Sequence, residues 1–290
     1  MAYGLRLLVI VAERIDLHAH TVYSDGTFTP AESVKLALER ELTTLAITDH
    51  DSTEGLPEAF EAADGTGLEI VPGTEFSTVR DGRGVHMLAY WPDLGHGEFQ
   101  DELRRLRDDR FSRGEGMVER LRKLGYPITF ERVREIAAGG NIVRPHVAQA
   151  LVEAGVVPTI EDAFTPELIA SGGRAYVEKH ALDPVAALGL IKRAGGVAVV
   201  AHPGLWEEGL GVPDELIEEL AANGLDGIES AHSDHTPEME ARYREMAKRL
   251  DLVATGSSDD HGTRFDPVRL GLVTTDPDQY TALRERAGRA

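Results

Sequence analysis

Short apolar runs recur along this chain, and nearly every one ends in a histidine or a carboxylate. Thr43–His50 is β-branched and apolar until Asp49 and His50, and Leu68–Phe76 carries Glu75 near its end. Gly196–Ala201 delivers His202, Leu225–Glu229 leads to His232, and Leu252–Thr255 runs on to Asp259 and His261. Amphipathic stretches with helix-start signals separate them, such as Thr29 before Pro30 and Asp183 before Pro184. Apolar runs this short, bounded by turn residues, read as buried strands. Strand and helix in alternation imply an α/β fold with a parallel sheet, whose C-terminal strand ends gather the chemistry.

The stretch from Arg14 to Gly26 sharpens this. Ile15, Leu17 and Ala19 alternate with Asp16, His18 and His20, so the period of 2 puts both histidines on one face of a strand. Ser24-Asp25-Gly26 then turns the chain and offers a carboxylate beside them. Gly84–Tyr90 reads as a further strand, with His86 early in it, against the trend of chemistry at strand C-termini.

Collected, the strand-end residues are His18, His20, Asp25, His50, Glu75, His86, His202, Asp259 and His261. All are imidazoles or carboxylates, the donors suited to manganese, iron or zinc. They exceed the needs of one ion and imply two or three divalent cations, with Glu75 as the bridging carboxylate. Clustered cations lower the pKa of a bound water and neutralise charge on phosphoryl oxygens. The expected nucleophile is therefore a metal-bridging hydroxide, with Glu75 and Asp259 as the catalytic carboxylates and Asp259 orienting the attack.

Charge limits the partners. Fifty acidic against thirty basic residues leave a net charge of -20, which excludes a non-specific duplex-DNA binder and requires that an anionic substrate be met by cations or placed arginines. The chain has no cysteine, so disulfide frameworks and thiolate sites are excluded, and a reducing cytoplasm fits. Leu7–Ala12 is too short to span a bilayer and is expected to be either a mobile N-terminus or an extension of the first strand; no membrane association is implied.

From Asp93 to Asp183 the character changes. Gly97–Leu124, Phe130–Ala138, Arg144–Ala154 and Ile160–Ser171 read as helices, and a strand is expected only at Arg174–Val177. A small α-helical domain over 93–182 is expected to interrupt a barrel formed by 1–92 and 183–290. Within it, Arg144 has the forked geometry for phosphate, with His146 nearby; Arg174 and Tyr176 offer a second cation and a ring on which a base stacks. His232 and His235 follow a strand end and are candidates for holding phosphate. His96 and His180 are expected to be neither ligand nor catalyst, and the Asp101–Arg113 charge run a solvated helix face. Beyond Leu270, one more strand and a closing helix are expected.

His18-Ala-His20 with Ser24-Asp25-Gly26, Ile47 to Asp51, Pro72 to Glu75, His86, Ala201-His202-Pro203 and Gly256 to His261 together resemble, in order, the PHP family of metal-dependent phosphoesterases, named for polymerase and histidinol phosphatase. The resemblance implies a distorted seven-stranded β/α barrel and three metals. One would be held by His18, His20, Glu75 and Asp259, a second by Asp25, His50 and His261, and a third by Glu75, His86 and His202. Asp25 and the helical insertion resemble the branch that removes the 3′-phosphate of nucleoside 3′,5′-bisphosphates, some members of which degrade short RNA from its 5′ end. An Arg-Pro-His motif similar to Arg144-Pro145-His146 contacts nucleotide phosphate in that branch. Two alternatives remain open at this point: an amidohydrolase, against which Lys179 lies outside the strand ends, and a non-catalytic metal-stabilised module, against which the ligand set is intact.

Overall fold

The computed structural model describes residues 13–137, 142–178, 181–205 and 211–289; the expectations on Leu7–Ala12, Lys179 and His180 lie outside them. Its centre is a seven-stranded sheet in the order β1 (Ile15–Asp16), β2 (Thr44–Ile47), β3 (Glu69–Arg80), β4 (Arg83–Tyr90), β5 (Val197–Val200), β6 (Gly227–His232), β7 (Val253–Ser257). The sheet curls into a nearly closed barrel. At the seam, His20 N donates to Asp260 O at 2.8 Å and a parallel bridge joins Ala19 to Asp260. Buried Asp16 ties the same seam, accepting from Ser258 N at 3.0 Å and Gly271 N at 2.7 Å.

One expectation needs correcting. The sheet is not parallel throughout: β4 runs antiparallel to both β3 and β5. The cause is local, because Asp81 and Gly82 both take positive φ (54° and 76°), the two-residue turn whose twist suits a hairpin. The reversal also accounts for His86. An antiparallel strand begins where its neighbours end, so a histidine early in β4 lies at the same barrel mouth as histidines late in the others.

The helices follow their sequence signals. Thr29 caps α1 (Pro30–Glu39) with a full capping box, and α2 (Leu56–Ala63) packs beside it; Asp183 caps α6 (Pro184–Arg193). Between β4 and β5 come α3 (Gly97–Lys123), α4 (Phe130–Ile136) and α5 (Arg144–Glu153). The C-terminal half completes the outer layer with α7 (Asp214–Ala222), α8 (Pro237–Arg249) and α9 (Pro277–Arg286). Three expected elements differ. Ile160–Ser171 holds only a 3-10 turn at Glu161–Ala163, Arg174–Val177 is a turn rather than a strand, and after Leu270 a single bridge from Thr275 to Ile15 precedes α9. Pro166 interrupts the first and Gly271 the third, while Gly172-Gly173 precede a second run of only four residues, too short to bury a continuous face.

Helix α3 serves two cores. Phe99, Leu103 and Leu106 enter the apolar cluster that contains Phe76 of β3 and Ala198 of β5, whereas Met117, Val118 and Leu121 join Val133, Val147 and Leu151 of α4 and α5 in another. At roughly 1.5–3 kcal/mol for each fully buried side chain, these contacts outweigh the weak propensity terms of a helix this charged. Gly114 lies within the second half, where a Cβ would come within 2.5 Å of Ile142 Cγ2.

Candidate active site

The barrel mouth is built from short strand extensions. Beyond β1, His18 and His20 are fully buried and their Nε2 atoms stand 3.0 Å apart, as their shared strand face requires. Asp25 is returned to them by a tight turn. Gly26 is needed there because a Cβ would fall 2.3 Å from His20 O. Asp49 braces the turn, accepting from Thr21 N at 2.8 Å and Ser24 Oγ at 2.6 Å.

Glu75 occupies the centre and is fully buried. Its Oε2 lies 3.4, 3.2 and 2.9 Å from His18 Nε2, His20 Nε2 and His50 Nδ1. Its Oε1 lies 2.9 Å from His86 Nδ1 and 3.0 Å from His202 Nε2. Asp259 Oδ1 approaches His18 Nε2 and His20 Nε2 at 3.3 and 3.1 Å, and His261 Nε2 is 3.4 Å from Asp25 Oδ1. All nine strand-end candidates therefore converge. Asp51, His202 and Asp259 also hold positive φ (51°, 25° and 50°), a backbone state that non-glycine residues adopt at a cost of about 1–3 kcal/mol.

The electrostatics explain what this arrangement can bind. Burial opposes ionisation of Glu75, but His50 and His86 outweigh it and hold the carboxyl well below the usual range. Asp259 is held down against burial by His18 and His261, and Asp25 by His261 and His50. Burial alone would discharge His18, yet Asp259 and Glu75 raise it well above its ordinary value; His20, under the same opposing influences, is raised to about 10. Burial lowers His86 to about 4 in spite of Glu75. These three carboxylates thus stay negative and demand positive charge among them. Asp25 Oδ1, Glu75 Oε2, His86 Nδ1 and Asp259 Oδ1 are buried without a hydrogen-bond partner, and two imidazole nitrogens face each other. Such atoms fit divalent cations. Among the described residues, three groups have the necessary spacing: His18, His20 and Asp259; His20, Asp25, His50 and His261; and His50, Glu75 and His86. His20 and His50 each belong to two of them, which sequence spacing could not reveal.

One supporting residue beside His18 escaped the sequence reading. Buried Glu229, in the middle of β6, accepts from His18 Nδ1 at 3.2 Å and from His202 N at 2.6 Å. That fixes the His18 tautomer and turns its Nε2 lone pair into the cluster. A carboxylate closing the short run Leu225–Glu229 was its only signal. His232 is buried as well. Its Nδ1 accepts from Asp234 N at 3.0 Å, so Nε2 carries the proton and points to Asp259 Oδ2 at 3.3 Å. His235 turns away from the cluster: Nδ1 donates to Ser230 O at 2.8 Å and Nε2 accepts from Gly204 N at 3.1 Å.

A cleft of about 510 Å³ opens beside the cluster, lined by His50, His86, Arg110, Arg113, Arg144 and Tyr176 among others. The Asp101–Arg113 run is accordingly not a wholly solvated face, since Arg110 is buried and pairs with Asp51, while Arg113 donates to Val177 O at 2.7 Å. Tyr176 lies under both Arg113 and Arg144, at 5.2 and 5.9 Å from ring centre to guanidinium carbon. His146 is buried behind the wall with Arg264 3.1 Å from its Nε2; burial and that cation lower its pKa to about 4. Arg174 is exposed and stands outside the cleft wall. His96 caps α3, accepting from Phe99 N at 3.3 Å.

Comparison with known proteins settles the family. The PHP domain model matches residues 16–127, from the first strand into the helices. The 5′-3′ exoribonuclease Rnm of Salmonella typhimurium is 35% identical over 248 residues, 85% of this chain and 84% of its own. The chain belongs to the PHP family. Another PHP relative, the 3′,5′-nucleoside bisphosphate phosphatase of Chromobacterium violaceum, is 33% identical over 85% of this chain and 87% of its own. Among solved structures, a Bifidobacterium adolescentis protein assigned to the metal-dependent phosphoesterases superposes with a TM-score of 0.85 at 38% identity, covering 95% of this chain and 96% of that one. The barrel is therefore a PHP barrel.

Proposed function

We propose that this protein is a metal-dependent phosphoesterase of small nucleotides, with nucleoside 3′,5′-bisphosphates as the foremost substrates and short RNA 5′ ends as larger ones. The observation that carries the reading is the cleft, in which His50 and His86 of the carboxylate–imidazole cluster share a wall with Arg110, Arg113 and Arg144. A chain of net charge -20 that sets Arg113 and Arg144 beside a cation-demanding cluster is built for a small polyanion. The relatives named for bisphosphate and RNA hydrolysis support the same substrate class.

Two or three divalent ions, manganese, iron or zinc, would be held by His18, His20, Asp25, His50, Glu75, His86, His202, Asp259 and His261, with Glu75 as the bridge. When bound, they supply Lewis-acid charge to the phosphoryl oxygens and a low pKa for water at neutral pH. The chain's own residues do the rest. Asp259, aligned by His232, orients the attack in line; Arg144 and Arg113 fork onto a second phosphate; Tyr176 presents a ring face to the base. Residues 93–182 form the helical insertion that contributes this wall to the barrel. A cysteine-free chain is in keeping with work in the cytoplasm.

Assaying the metal-loaded protein against a nucleoside 3′,5′-bisphosphate, a nucleoside monophosphate, a short 5′-phosphorylated RNA and amide substrates tests the reading. Release of phosphate from the bisphosphate, faster than any amide turnover, is the expected result. Turnover of amides alone would remove the phosphoesterase and leave an amidohydrolase; turnover of nothing would leave a metal-stabilised module.

A further inference from the structure

Arg110 sits where α3 passes from the barrel core to the helical core, four residues after Leu106 and seven before Met117. A buried arginine at such a place needs a reason, because removing a charge from water is costly unless it is paired and fully bonded. Its partners lie on the other side of the junction. Nε and Nη2 donate to Asp51 Oδ2 at 2.8 and 2.5 Å, and Nη2 also reaches Ser77 Oγ. The second oxygen of Asp51 accepts from Ser77 N at 3.0 Å. Asp51 and Ser77 are themselves buried, and Arg107, one helical turn earlier, donates to the Asp51 carbonyl at 3.1 Å. Two arginines of one helix face therefore grip a single residue.

That residue follows His50 directly. Asp51 N donates to Glu75 O at 3.0 Å and His50 is bridged to Glu75, so the backbone at this point is stitched to the central carboxylate. Ser77 Oγ, held by Arg110, stands 3.5 Å from His50 Nδ1. His50 is shared within the cluster, with Nδ1 2.9 Å from Glu75 Oε2 and Nε2 4.0 Å from Asp25 Oδ2, and like His20 it belongs to two of the candidate ligand groups. A small rotation of this ring would open one group or the other.

We infer that Arg110 is a positioning residue: through Asp51 and Ser77 it sets the orientation of His50, so that the helical segment, and not only the barrel, determines the geometry of the metal centre. The inference rests on the phosphoesterase reading only for its kinetic readout; the metal-binding readout is independent of it. A plain structural strut would couple to folding alone, and a plain substrate-binding arginine would couple to KM alone.

The experiment compares full-length Arg110→Met, Arg110→Lys and Ser77→Ala with the unaltered protein, measuring manganese binding by calorimetry and by metal content after dialysis, and then kcat and KM on a nucleoside 3′,5′-bisphosphate. Arg110→Met is expected to weaken the binding of at least one manganese by about 10–100-fold and to lower kcat more than it raises KM. Lysine restores charge to Asp51 but not the fork, so Arg110→Lys falls between the two. Ser77→Ala, which leaves the ion pair intact, shifts manganese binding in the same direction by a smaller factor and serves where Arg110→Met does not fold. Unchanged manganese binding in folded Arg110→Met, or in Ser77→Ala where that variant is the one available, overturns the inference. A rise in KM alone makes Arg110 a substrate-binding residue instead. If no protein turns over phosphate esters while manganese binding shifts as expected, the phosphoesterase reading fails and the positioning role stands.

Discussion

Glu75 joins the two sides of the cluster, because its two oxygens face different sets of imidazoles. Converting it to Gln keeps the shape and removes the charge. Glu75→Gln and Asp259→Asn are therefore expected to bring turnover to background and to lower bound metal, measured by activity and by metal analysis of the dialysed protein. Arg144→Ala has a different signature. Loss of a hydrogen bond to a charged group is worth about 1.5–3 kcal/mol, so kcat/KM for the bisphosphate should fall by about one to two orders of magnitude, mainly through KM. Unchanged kinetics would take Arg144 out of substrate recognition. Glu229→Gln is expected to cost about 10–100-fold in metal affinity without changing a ligand, because it releases the His18 tautomer. At this scale the sequence was generous with candidate ligands, which the fold brings together, and silent about their supports. His18 and His20 announce themselves by alternation. Glu229 and Arg110 do not, because a supporting role depends on which side chains meet across the fold, and no spacing along the chain encodes that.

Among elements, the β3–β4 hairpin and α3 carry most of the information that periodicity missed. Apolar alternation along β4 is the same whichever way the strand runs, so only Asp81-Gly82 could have revealed the reversal that brings His86 to the barrel mouth. The charged pattern of α3 likewise says helix without saying that Arg110 faces inward. A substitution in α3 separates propensity from packing. Exchanging Gly114 for Ala gains up to about 1 kcal/mol of helix propensity, but the new methyl meets Ile142, a β-branched side chain that rotates little, and overpacking costs about 1–3 kcal/mol. Gly114→Ala is expected to destabilise by up to about 2 kcal/mol in urea unfolding. A stabilised protein would mean that α3 and the segment at Ile142 are not in close contact.

Across the whole molecule, candidate ligands are drawn from positions 18 to 261 around the barrel mouth, so metal bound there would link to global stability. Manganese at about 100 times its dissociation constant should add about 2.7 kcal/mol, which for a chain somewhat above 250 residues is a rise in Tm of several degrees, reversed by chelator. The acidic surface and the arginine-lined cleft fit together on this scale: global charge disfavours nucleic-acid duplexes, while the cleft admits a small phosphate ester. The proposed function requires that scattered strand-end side chains form one multinuclear metal centre around Glu75. Anomalous diffraction from crystals soaked in manganese shows whether they do. Two or three peaks within coordination distance of the His18/His20/Asp259, Asp25/His50/His261 and Glu75/His86/His202 donors, flanking Glu75, are predicted. Manganese confined to surface carboxylates, with none beside Glu75, would contradict it.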